Sequence, residues 1–108
     1  MFIDDGKDPL VNEFKKKIQD RCGKDVNMDN FIVRAYDCVN WFTSAYELCG
    51  STDPDALRDA LCETGEAGFT GVSGYCKLDK DRNVMRTLIM NKWNGKSGDE
   101  TGFERITE

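Results

Sequence analysis

The sequence predicts an α+β chain: three helices followed by a β-hairpin or small antiparallel sheet. Three observations carry that expectation. Two Asp-Pro pairs, Asp8-Pro9 and Asp53-Pro54, each open a segment whose apolar residues recur at helical spacing. Residues 29–49 between them are rich in apolar side chains and contain no proline or glycine. After Gly68 the composition shifts to glycines and β formers separated by polar turn residues.

In the first helix Asp8 is the expected cap, because its carboxylate can accept from an otherwise orphaned backbone N–H. Pro9 suits the first helical position, where its missing N–H would have had no partner. Leu10, Phe14, Ile18 and Cys22 follow at i+4 spacing and form one apolar stripe. Gly23 ends the helix, since glycine enters the left-handed C′ conformation at low cost. Residues 24–28 read as a polar linker.

The second helix starts near Asp29 and runs to about Cys49. It carries Phe31, Ile32, Val33, Ala35, Tyr36, Cys38, Val39, Trp41, Phe42, Ala45, Tyr46, Leu48 and Cys49, too many for one stripe. A helix this apolar is buried on more than one side, and a small α+β unit covers only one. Its other face therefore calls for a partner surface. Arg34, Asp37, Asn40 and Glu47 make the stretch too polar to span a membrane. Gly50-Ser51-Thr52 breaks it. The third helix carries Leu57, Ala60 and Leu61 and is expected to stop by Gly65.

The remainder reads as strands. Phe69–Leu78 is followed by the polar turn Asp79-Lys80-Asp81-Arg82-Asn83. Val84–Trp93 has apolar residues in both registers and reads as a strand covered on both faces. Asn94-Gly95 is a strong turn signal, and a last short strand is placed at Phe103–Ile106. No repeat or internal boundary is visible, so residues 1–108 read as one partial domain.

The composition excludes several functions. With a net charge of −5, duplex nucleic acid is repelled, and the Lys15-Lys16-Lys17 run sits among acids as a solvated helix face. No apolar run approaches the ~20 residues of a transmembrane helix. Met1-Phe2-Ile3 leads at once into Asp4-Asp5, not into a secretory signal. The chain therefore either stays in the cytoplasm or is a piece whose signal lies upstream.

The chain has no histidine, which removes catalysis through a histidine base. The five cysteines Cys22, Cys38, Cys49, Cys62 and Cys76 lack C-x-x-C spacing, so no metal site is expected. Most of them read as buried thiols. Asp79-x-Asp81-x-Asn83 resembles the start of an EF-hand loop. Val84 and Met90 stand where that loop needs its glycine and its bidentate glutamate, so a solvated turn is preferred. The glycines of residues 68–74 do not open a helix, as a phosphate cradle requires. They read as tight turns or as places of close backbone approach. No catalytic constellation and no cofactor site stands out, and no enzyme is expected. The aromatic residues of the second helix read chiefly as core.

The order of segments carries a resemblance. Cys22-Gly23-Lys24-Asp25 resembles the "K-x-Y-G-K-x-P" helix end of type I periplasmic binding proteins, the branched-chain amino acid binding group. Ala35-Tyr36-Asp37-Cys38-Val39 is similar to their "A-Y-D-A-V". Residues 50–61, GSTDPDALRDAL, resemble "G-S-T-D-P-E-A-V-R-D-A-L", and Phe69–Gly74 resembles "F-x-G-x-x-G". Residues 78–83 stand where the family has "F-D-E-N-G-D", without its glycine, and the strand ending at Trp93-Asn94-Gly95-Lys96 is similar to "V-x-Q-x-x-D-G-K". Together these cover about residues 8 to 98.

The resemblance implies part of a two-lobed α/β protein, periplasmic or at the cell surface, that closes on an amino acid and delivers it to an ABC importer. It implies one candidate ligand contact, Phe31, at the start of the long helix. The family's grips for the ligand's carboxylate and ammonium have no counterpart here, so the chain alone is not expected to bind an amino acid tightly. It also accounts for the doubly apolar helix, which in the family packs on a sheet that these residues do not contain. The alternative is a stand-alone module that uses the 29–49 helix to bind a protein or a second copy of itself.

Overall fold

The computed structural model describes residues 6–26, 29–95 and 103–106. Among them are three helices, α1 (Pro9–Cys22), α2 (Asn30–Cys49) and α3 (Pro54–Ala67). Five strands follow: β1 (Phe69–Gly71), β2 (Gly74–Leu78), β3 (Val84–Arg86), β4 (Asn91–Trp93) and β5 (Phe103–Arg105). The chain is thus α+β, with helices first and antiparallel sheet after. It gathers into two compact units. One holds the described residues up to Ile32 and from Leu88 onward, and the other holds Val33–Thr87.

The helix starts follow from capping. Asp8 Oδ1 accepts from Leu10 N at 2.9 Å, and Asp53 Oδ2 accepts from Ala56 N at 3.0 Å. Asp29, just ahead of α2, accepts from the backbone N–H of both Phe31 and Ile32 at 2.9 Å. Such a cap is worth about 1 kcal/mol. Gly23, with φ 98°, closes α1.

In the first unit, α1 buries Val11 and Phe14 and half-buries Ile18, whereas Leu10 and Cys22 are exposed. The stripe expected on Leu10, Phe14, Ile18 and Cys22 is therefore rotated onto Val11, Phe14 and Ile18. The i, i+3, i+7 row replaces the i+4 row, and the two ends of the helix lie outside it. In the same unit β4 pairs antiparallel with β5, Trp93 opposite Phe103. The last expected strand is thus present as Phe103–Arg105. Gly95, at φ 83°, lies in the bend after β4.

The second unit holds the sheet β1-β2-β3, all antiparallel. The expected Phe69–Leu78 strand is in fact a hairpin. β1 and β2 meet through Gly71↔Gly74, with Val72-Ser73 as the two-residue loop. Neither loop residue has positive φ; Gly74, at φ 101°, absorbs the reversal. Asp79 holds the next turn. Its carboxylate accepts from the backbone N–H of Asp81 and Asn83 and from the Asn83 side chain. The Asn83 side-chain amide and then its backbone N–H hold the Asp79 carboxyl below its usual value. These bonds close the turn between β2 and β3 from within its own residues.

Two strand expectations fail in the next stretch. Val84–Trp93 breaks into β3 and β4, and it is not covered on both faces: Val84, Met85, Leu88 and Met90 are exposed, Leu88 at 84%. β3 is the edge strand of the β1-β2-β3 sheet. The cysteines also depart from expectation. Only Cys76 is buried; Cys49 and Cys62 are intermediate, Cys22 and Cys38 are exposed, and all five are free.

α3 does not stop at Gly65. It continues to Ala67 and ends at Gly68, φ 83°, whose N–H reaches back to Thr64 O and Gly65 O. Gly65 is instead where α3 closes on its neighbours. A Cβ there would lie 2.5 Å from Leu78 Cδ1 and 2.8 Å from the Trp41 ring carbon Cζ2. Gly65→Ala should therefore destabilise the protein even though alanine favours a helix by about 1 kcal/mol. Overpacking costs about 1–3 kcal/mol, so a net loss near 1 kcal/mol is expected in the urea unfolding midpoint. A gain in stability would show that the contact yields freely.

Candidate functional site

Helix α2 organises the second unit through residues four apart. Val33, Asp37 and Ala45 are buried and Trp41 is half-buried, a single row along the helix. An acid in such a row is exceptional, because a carboxylate leaves water only when other groups solvate it. Asp37 is 3% exposed. Its Oδ1 accepts from Val72 N at 2.8 Å, and its Oδ2 accepts from Ser73 N at 2.8 Å and from the Ser73 hydroxyl. Both N–H groups of the β1–β2 loop thus end on one carboxylate, a charge-assisted arrangement stronger than neutral pairs. Arg86 Nη1 donates to Ser73 Oγ at 3.3 Å and reaches the cluster through that hydroxyl.

Gly71 completes the clamp by omission. A Cβ at this position would run into the Asp37 carboxylate carbon and both of its oxygens. The sequence reading of these glycines as turn or close-approach residues therefore holds, and the partner approached is Asp37. The next turn of α2 adds Trp41. Its Nε1–H donates to Thr64 Oγ1 at 2.8 Å, and that hydroxyl donates to Ala60 O at 2.9 Å. The Trp41 ring stands 5.5 Å from that of Phe69, tilted by 32°.

Beside the clamp is a recess of about 380 Å³, lined by residues that include Asp37, Asn40, Trp41, Thr64, Phe69 and Thr70. It lies wholly within the second unit.

On the other side of α2, Ala35, Cys38, Val39, Phe42 and Tyr46 are exposed, Val39 at 65% and Phe42 at 49%. At 100° per residue they share one arc of the helix, apart from the row that carries Asp37. The helix is thus apolar on two faces, as expected, but only one is covered. Phe31, the candidate ligand contact, is 83% exposed at the start of α2. It is not part of the recess lining.

In the sequence Asp37 reads as a polar interruption of the helix and as part of the Ala35–Val39 block, with no sign that it is buried. The signal that marks it is its place four residues after Val33 and four before Trp41. Among the described residues no group of three acids or cysteines is placed to hold a metal ion, and no helix is long and apolar enough to cross a membrane. No family model, curated protein or solved structure matches the chain.

Proposed function

We propose that this chain is the C-terminal segment of an extracytoplasmic solute-binding protein that delivers amino acids to an ABC importer. The observation that carries the reading is the Asp37 clamp. Its carboxylate belongs to the Ala35–Val39 block and its donors to the Phe69–Gly74 block. These are two of the segments in which the sequence resembles type I periplasmic binding proteins, and Asp37 of the first meets the Val72-Ser73 backbone of the second. The role is capture by lobe closure, without covalent chemistry. In this reading the uncovered arc of α2 packs on a sheet supplied by the rest of the protein, and the exposed Phe31 ring faces a ligand side chain in the complete cleft.

Two results test it. Amino acids should leave the melting temperature of the 108-residue chain unchanged, because the family's grips for the ligand's carboxylate and ammonium have no counterpart in this sequence. The transcript should continue in frame upstream into the remaining lobes. An in-frame stop directly before Met1 would overturn the segment reading.

One observation favours a second reading, a stand-alone module that associates with itself or another protein. It is the arc of Val39, Phe42 and Tyr46, which stands exposed in this chain. An isolated reading frame with a stable oligomer as its product would support it.

A further inference from the structure

The geometry points to the recess between α2, the end of α3 and β1 as a binding site for a small organic ammonium ion with an apolar group. Four features argue for that class. First, the recess is electronegative. Asp37 lines it with a carboxylate bound only by N–H and O–H donors, and no lining residue is basic. Arg86, the nearest cation to the clamp in its hydrogen-bond network, is not among the lining residues. Second, the C-terminal end of α3 borders it through Ala67 and Gly68, and no basic residue occupies the last turn of that helix. The negative end of a helix favours a cation.

Third, β1 is the outer strand of its sheet, and the register turns one of its carbonyls outward. Tyr75 O accepts from Thr87 N, so Tyr75 spends its backbone groups toward β3. Thr70 opposes Tyr75, so its C=O and N–H face the free edge beside the recess. That carbonyl is an acceptor for an ammonium N–H. Fourth, the Trp41–Phe69 ring pair supplies an apolar wall with a π face, the surface to which organic cations are drawn. A volume near 380 Å³ suits a ligand of this size.

The test is a titration of the full chain with three probes of one shape: benzylammonium, benzyl alcohol and benzoate. The readouts are the Trp41 indole N–H and the Thr70 amide in two-dimensional NMR, with Trp93→Phe separating the two indoles. Benzylammonium should move both signals saturably and bind about tenfold more tightly than the alcohol. Benzoate should move neither. Asn40→Lys, an exposed change at the rim, should weaken benzylammonium about tenfold and leave the unfolding midpoint unchanged. Equal binding of the alcohol would show an apolar hollow without charge selection and overturn the assignment. So would binding of benzoate, or no saturable shift with any probe.

Discussion

Asp37→Ala is expected to cost about 2–5 kcal/mol of stability, read as a fall in the urea midpoint at unchanged slope. The change strips two loop N–H groups and one hydroxyl of a shared acceptor. Val72 is buried and Ser73 half-buried, so water replaces the carboxylate poorly. Each buried donor left without a partner costs about 1–3 kcal/mol. Against a total of about 5–15 kcal/mol for an ordinary domain, this is a large fraction. Asp37→Asn separates shape from charge. It keeps the volume but sets an NH2 donor against a backbone donor, so it should lose at least half as much. A loss under about 1 kcal/mol for Asp37→Ala would show that the β1–β2 turn holds itself and that the clamp is incidental.

The second large effect is expected at Gly71, and it is conditional. Its backbone does not require glycine, since its φ is not positive. The three atoms nearest to an added side chain all belong to the Asp37 carboxylate. Because that carboxylate is pinned by three donors, it cannot move without releasing them. Gly71→Ala should therefore cost about 2–3 kcal/mol. In the Asp37→Ala background the obstruction is gone, and the same change should cost under about 1 kcal/mol. The difference is a coupling within the range of groups in direct contact. Additive losses would mean that the added methyl disturbs something other than the clamp.

Much of the fold was legible because the helix boundaries are set locally. Asp8, Asp29 and Asp53 cap through their own side chains onto N–H groups two or three residues away. Gly23 and Gly50 stop the first two helices with φ values of 98° and 59°. Where sequence reasoning failed, the deciding contact is distant along the chain. Gly65 reads as a stop signal, but Leu78 and Trp41 close on it and the helix continues to Gly68. Phe69–Leu78 reads as one strand, but an acid 35 residues upstream of Val72 gathers the N–H groups of a turn inside it. Periodicity does not register such a pairing, because it concerns one carboxylate and one loop. The apolar residues of Val84–Met90 suggest a covered strand. Val84, Met85, Leu88 and Met90 are nevertheless exposed, so composition alone misjudges them.

The candidate site was half legible. The two faces of α2 follow from its excess of apolar residues, and the glycines of 71–74 from their spacing. Asp37 was hidden because an acid in a helix is ordinarily a solvent-facing residue. The recess was hidden because its walls come from α2, α3 and β1 together.

Both the proposed role and its alternative require a partner for the second, exposed face of α2. The most direct test is the solution mass across a wide range of protein concentrations, by sedimentation equilibrium, for the chain and for Phe42→Asp. The chain should associate with itself, as a symmetric dimer in the simplest case. Phe42→Asp should be a monomer with the same helix content. A clean, folded monomer at every concentration would contradict the account, because the arc of Val39, Phe42 and Tyr46 would then need no partner.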